Sequence, residues 1–180
     1  MILIEPPRSP TLARRDPLNR RELAQFAGRA LRAAGIHGTI SVLLTGDERI
    51  REFNRKFRKK NVATDVLSFP AIAWGTEAGN GHRRRSAGDL AISLDTAARQ
   101  AEAFGHSLAT EVKVLILHGA LHLAGYDHEA DSGEMARLEA KLRKEFGLPQ
   151  GLIQRSSTAK RPAKAGVVTQ IPQRSGRSRR

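Results

Sequence analysis

Apolar and polar positions divide the first 150 residues into short strands and amphipathic helices. Ile2, Leu3 and Ile4 form a brief apolar strand, and a Pro- and Arg-containing stretch follows. Leu23, Phe26, Ala27, Ala30 and Leu31 recur at helical spacing, which predicts a helix over about 19–34 ended by Gly35. Residues 39–44 read as a buried strand. Thr45 with Glu48 fits a capping box opening a helix to about residue 57, with Phe53 and Phe57 on its packing side. Two more strands are predicted at 65–69 and 88–93. Between them runs a loop from about 70 to 86 that carries Trp74 and the triplet Arg83, Arg84 and Arg85. A helix over 94–104 turns Ala97, Ala98, Ala101 and Phe104 toward the core and ends at Gly105. From about 107 to 124 the chain is apolar almost all round, through Val112, Val114, Leu115, Ile116 and Leu117, as expected of a helix through the middle of a domain. A last helix over 133–146 packs Met135, Leu138 and Leu142 inward, and Gly147 and Pro149 close the globular part.

Strands and helices that do not alternate strictly indicate an α+β fold. The expectation is a single domain, residues 1–150, with a small mixed sheet of three or four strands covered by helices.

The remaining segment, 151–180, differs in composition. It holds eight basic residues (Arg155, Lys160, Arg161, Lys164, Arg174, Arg177, Arg179 and Arg180) and no acidic one, so most of the chain's +13 formal charge resides there and only +5 on the rest. Poor in large apolar side chains, this tail is expected to be disordered, as a solubilising extension or as an arm that binds phosphates. A second basic run, Arg49, Arg51, Arg55, Lys56, Arg58, Lys59 and Lys60, lies on the helix after Thr45, where it reads as a phosphate-binding face or a solvated one.

The absence of cysteine excludes disulfides, thiolate-held metals and a thiol nucleophile. No apolar run reaches the roughly 20 residues of a membrane span, and residues 1–10 carry charge and prolines where a signal peptide has a continuous apolar segment, so the chain reads as cytoplasmic with no membrane partner.

The chemistry concentrates at residues 118–128, HGALHLAGYDH. Imidazoles four positions apart on a helix differ by about 40° in direction and roughly 6 Å in height, so His118 and His122 can reach one ion. Gly125 can take the left-handed conformation that ends the helix and returns the chain, bringing in His128 as a third ligand. Three neutral histidines leave the fourth tetrahedral position of a single Zn²⁺ for water, whose pKa falls to about 7. Relative to the zinc-protease signature His-Glu-x-x-His-x-x-Gly-x-x-His, Gly119 stands in place of the glutamate that acts as general base, which argues against peptide hydrolysis. Proton removal could then fall to zinc-bound hydroxide, to Asp127, or to a hydroxyl of the substrate itself; Asp127 could equally orient a ligand histidine. His37, His82 and His106 have no partner at ligand spacing and receive no role. Trp74 is a loop anchor or a base-stacking residue.

The segment 118–128 resembles the hallmark HGxLHLxGYDH of the YbeY family of bacterial endoribonucleases and rRNA maturation factors. Two further stretches agree in order and spacing: Asn54 to Phe69, in which Arg58 precedes Thr64-Asp65-Val66-Leu67-Ser68-Phe69-Pro70, and Gly88-Asp89-Leu90-Ala91-Ile92-Ser93. The likeness covers about residues 39–147; the N-terminal stretch and the basic tail lie outside the family pattern.

The resemblance implies a zincin-like metal helix and a zinc-dependent endonuclease specific for single-stranded RNA, acting in 16S rRNA 3′-end maturation and ribosome quality control. It implies as partners the 16S rRNA precursor, the small ribosomal subunit with its ribosomal proteins, and the GTPase Era. It also makes Arg58 the contact to the scissile phosphate, beside Asp127 as the second candidate catalytic residue. The alternative is a non-catalytic zinc-containing assembly factor that binds rRNA.

Overall fold

Four strands form one mixed sheet in the computed structural model, which describes residues 1–5, 18–71, 86–127 and 131–149. In chain order the elements are β1 (Ile2–Ile4), α1 (Arg20–Ala33), β2 (Thr39–Thr45), α2 (Asp47–Arg58), β3 (Val66–Pro70), β4 (Ser86–Ser93), α3 (Leu94–Phe104), α4 (Leu108–Leu123) and α5 (Glu134–Phe146). The strand order is β1-β2-β4-β3. β1 and β4 both run parallel to β2, whereas β3 pairs antiparallel with β4, with Ser68 opposite Leu90. The α+β expectation holds, with four strands. The basic tail, the segment carrying Trp74, His82 and the arginine triplet, and His128 lie outside the described residues.

Strand alternation sends side chains to two different packing layers. Val42, Leu44, Val66, Leu90 and Ile92 join one large core with α1, α4 and α5. Leu67 and Ala91 point the other way and meet Ile50 of α2, flanked by Phe53 and Phe69. α2 therefore covers the sheet face opposite α4.

α4 is buried along most of its length, from Glu111 and Val112 to His122, as its all-round apolarity predicts. Ser107 caps its start, its hydroxyl accepting from the Thr110 N–H at 3.1 Å. His106, given no role from its spacing, lies with Nε2 2.5 Å from the fully buried Glu111 carboxylate, which explains how that acid is accommodated inside.

Two local expectations need correction. Thr45 and Glu48 do not form a capping box, because Thr45 is the last residue of β2 and its hydroxyl donates to Glu5 at 2.5 Å. The helix begins after Gly46, and the Asp47 N–H donates instead to Asp95, 2.9 Å away. Phe104 does not enter the core: it is 48 % exposed and stacks on His106. The buried stripe of α3 is Leu94, Ala97 and Ala101, with Ala98 half-buried, and Phe104 sits in the final turn, where Gly105 at φ +69° bends the chain away. Among the described residues no helix is long and apolar enough to cross a membrane.

Candidate metal centre

Close packing on the sheet fixes how α4 presents its histidines. A Cβ at Gly119 would stand 2.7 Å from Leu90 Cδ2 and 3.3 Å from Ser68 Oγ, so α4 lies directly against β3 and β4 at this point. Ser68 also donates to the Gly119 carbonyl at 3.4 Å. The position where a zinc protease carries its glutamate is thus filled by the sheet itself.

With Gly119 against the strands, His118 and His122 share one helix face and are 2 % and 0 % exposed. Their rings meet edge-on, centroids 4.8 Å apart, and the two Nε2 atoms are separated by 3.2 Å. Nitrogens held about 2.0–2.1 Å from one tetrahedral zinc stand roughly 3.3 Å apart, so the pair has the separation of two corners of such a site.

Behind this pair lies a carboxylate that the sequence reading missed. Glu139, on α5, has Oε2 3.2 Å from His118 Nδ1. Its other oxygen accepts from Arg143 Nε at 2.9 Å and Nη2 at 2.5 Å, and Arg143 Nη1 donates to the Pro149 carbonyl. Burial pushes the Glu139 carboxyl up, but the hydrogen bond and charge of His118, with those of Arg143, outweigh it and hold the pKa at about 2. An ionised Glu139 that accepts a hydrogen bond from Nδ1 leaves the proton off Nε2, the tautomer a metal ligand requires. Glu139 and Arg143 fall at i, i+4 on a highly charged helix, and their burial was the missing signal.

A second buried acid, Asp65, stands immediately before β3. Asp65 accepts from Gln100 Nε2 at 3.2 Å and from the Val66 N–H at 2.8 Å. Its burial raises its pKa above the usual carboxylate range, against the opposing pull of Gln100, the charge of His118 and the two neighbouring donors, Val66 and Thr64.

Beyond α4 the chain turns as Gly125 predicts. It has φ +94°, its N–H donates to the His122 carbonyl, and the Tyr126 N–H donates to the Leu121 carbonyl. Asp127 follows, half-buried, its carbonyl accepting from the Asp131 N–H, while the Asp131 carboxylate receives the N–H groups of Gly133 and Met135 at the start of α5. Gly125, Asp127 and Asp131 line a shallow concavity with Ser132 and Glu134. Among the described residues no group of three His, Asp or Glu side chains completes a metal site; His128, the expected third ligand, is outside them. Arg58, half-buried, ends α2, the helix on the sheet face opposite α4.

The residues present fit a metal ion: two converging imidazole nitrogens with a carboxylate behind one of them.

Known proteins are similar to this chain over most of its length. The family model described as Endoribonuclease YbeY matches residues 15–147. Proteins named Endoribonuclease YbeY from Koribacter versatilis and Solibacter usitatus are 49 % and 46 % identical to it, covering 82 % and 79 % of this chain and 91 % and 90 % of their own length. The protein of that name from Aquifex aeolicus is 48 % identical over 63 % of this chain and 72 % of its own. The match takes in both sheet faces, α4 with its two histidines, and Glu139, and on that extent the chain belongs to the YbeY endoribonuclease family.

Proposed function

We propose that this protein is a zinc-dependent endoribonuclease that cleaves single-stranded RNA in the cytoplasm, in 16S rRNA 3′-end maturation and ribosome quality control. The observation that carries the reading is the 3.2 Å separation of the His118 and His122 Nε2 atoms, with Glu139 behind His118. Family membership supplies the substrate class, since the relatives are named endoribonucleases.

His118, His122 and His128 hold one zinc ion, which supplies Lewis-acid chemistry toward a phosphate ester. Glu139 fixes the tautomer and orientation of His118. The apolar walls of α4 and the sheet keep water from the buried side of the pair. Arg58 binds the scissile phosphate, a task suited to a guanidinium because it can donate to two oxygens at once. Asp127, beside the Gly125 turn, takes a proton from the attacking group or orients a ligand histidine. The 16S rRNA precursor, the small subunit with its proteins and the GTPase Era are the partners in this reading.

Metal content and cleavage of a single-stranded RNA, measured together before and after chelation, test it. Loss of both in a variant with His118, His122 and His128 all replaced by alanine is expected. Full cleavage by that metal-free variant would overturn the proposal, and intact zinc with no cleavage by the native protein would favour the assembly-factor alternative.

A further inference from the structure

Three aromatic rings stand together on the sheet face opposite the histidines. Phe57 and Phe69 pack edge-to-face with centroids 5.3 Å apart, and Phe53 lies 6.2 Å from Phe69 and 6.3 Å from Phe57. Phe53 and Phe57 come from α2, and Phe69 from β3, an edge strand of the sheet. The buried contact between α2 and the sheet is made by Ile50, Leu67 and Ala91, with Phe53 and Phe69 packed partly buried against it, and Phe57 stands at its outer side. Phe57 leaves 43 % of its surface to solvent.

Cations surround these rings. The Arg49 guanidinium is 4.8 Å from the Phe53 centroid and the Lys56 ammonium 5.3 Å from that of Phe57. From Phe53 to Val62 the chain carries Arg55, Lys56, Arg58, Lys59 and Lys60 and no acidic residue. Solvated cations alone would explain a soluble helix. They do not explain a large apolar ring kept half in water at their centre, whereas a partner that is at once polyanionic and aromatic matches both features.

We propose that Phe57, with Phe53 and Phe69 beside it, Lys56 over its ring and Lys59 and Lys60 following in the chain, is a base-stacking platform for single-stranded RNA. One base stacks on Phe57 while the cations bind flanking phosphates, so the surface holds the strand without reading its sequence. This rests on the RNA-cleaving function proposed above. A strand held here and cut at the histidines passes around the β3 edge.

The test uses the full chain with chelator present, so that nothing is cleaved, and two fluorescent probes: a single-stranded RNA of about ten nucleotides and an abasic oligomer of equal length. The native protein is expected to prefer the base-bearing strand. Phe57→Leu, which keeps the apolar packing, should weaken that strand about fivefold or more and leave the abasic one unchanged, whereas Phe57→Tyr should bind as the native protein does. Lys56→Gln should weaken both probes and lower the slope of log affinity against log salt by about one. Unchanged RNA affinity in a folded Phe57→Leu protein overturns the platform and leaves the RNA-cleaving function standing. Failure of the native protein to bind either probe overturns both.

Discussion

Glu139 Oε2 lies 3.2 Å from His118 Nδ1 across 21 residues of chain, so one arm of the histidine pair is braced by the helix that follows it. Glu139→Gln keeps the shape and removes the charge. It is expected to lower zinc affinity about 10- to 100-fold, read by competition with a chromogenic chelator. Glu139→Ala also removes the carboxylate that balances the buried Arg143 and should cost about 3–5 kcal/mol of stability in denaturant titration.

Restoring the protease glutamate will not make a protease. Any side chain at Gly119 meets Leu90 and Ser68, both buried, so Gly119→Glu is expected to lose stability by about 1–3 kcal/mol or more, visible as a lower melting temperature, and to show no cleavage of casein.

Arg58→Ala should leave zinc content unchanged and lower RNA cleavage by about tenfold or more, because the proposed contact is with substrate. Metal analysis and cleavage assays on the same preparation check it; loss of zinc would count against the role given to Arg58.

The N-termini of α2 and α3 exchange carboxylates. Asp95 receives the Asp47 N–H, and Asp47 in turn accepts from Ser93, from Thr96 at 2.7 Å and from Arg99 at 2.8 Å. Burial pushes the Asp47 pKa up, but these hydrogen bonds and the Arg99 charge prevail and hold it below the usual carboxylate range. A carboxylate with a lowered folded-state pKa stabilises the protein above its unfolded pKa, and that contribution disappears as pH falls through the lowered value. Thermal melts of Asp47→Asn should therefore show lower stability at neutral pH and a shallower loss below about pH 4 than the native protein.

Periodicity made the central helix legible, since an element apolar on every side has only one place to go, and Gly125 marked where it would stop. The spacing of His118 and His122 carried over directly, because helix geometry alone sets the distance between positions i and i+4. Thr45 misled because the capping-box pattern is local, while its hydroxyl was claimed by Glu5, forty residues away. Glu139 and Arg143 were missed for a related reason: on a charged helix two more charges look solvated, and only the approach of α4 makes them interior. Phe57 lies on the packing side, as its spacing suggests, edge-to-face with Phe69, yet its ring remains partly exposed because the buried contact with the sheet is centred on Ile50.

α4 is enclosed by α1, α3, α5 and two strands, so the amides of His118 and His122 have no local route to solvent. Their hydrogen exchange should proceed only when the whole domain opens, at a rate set by global stability. The histidine pair thus rests on a part of the chain that opens only with the whole domain, and its 3.2 Å spacing is held by the fold rather than by local contacts alone.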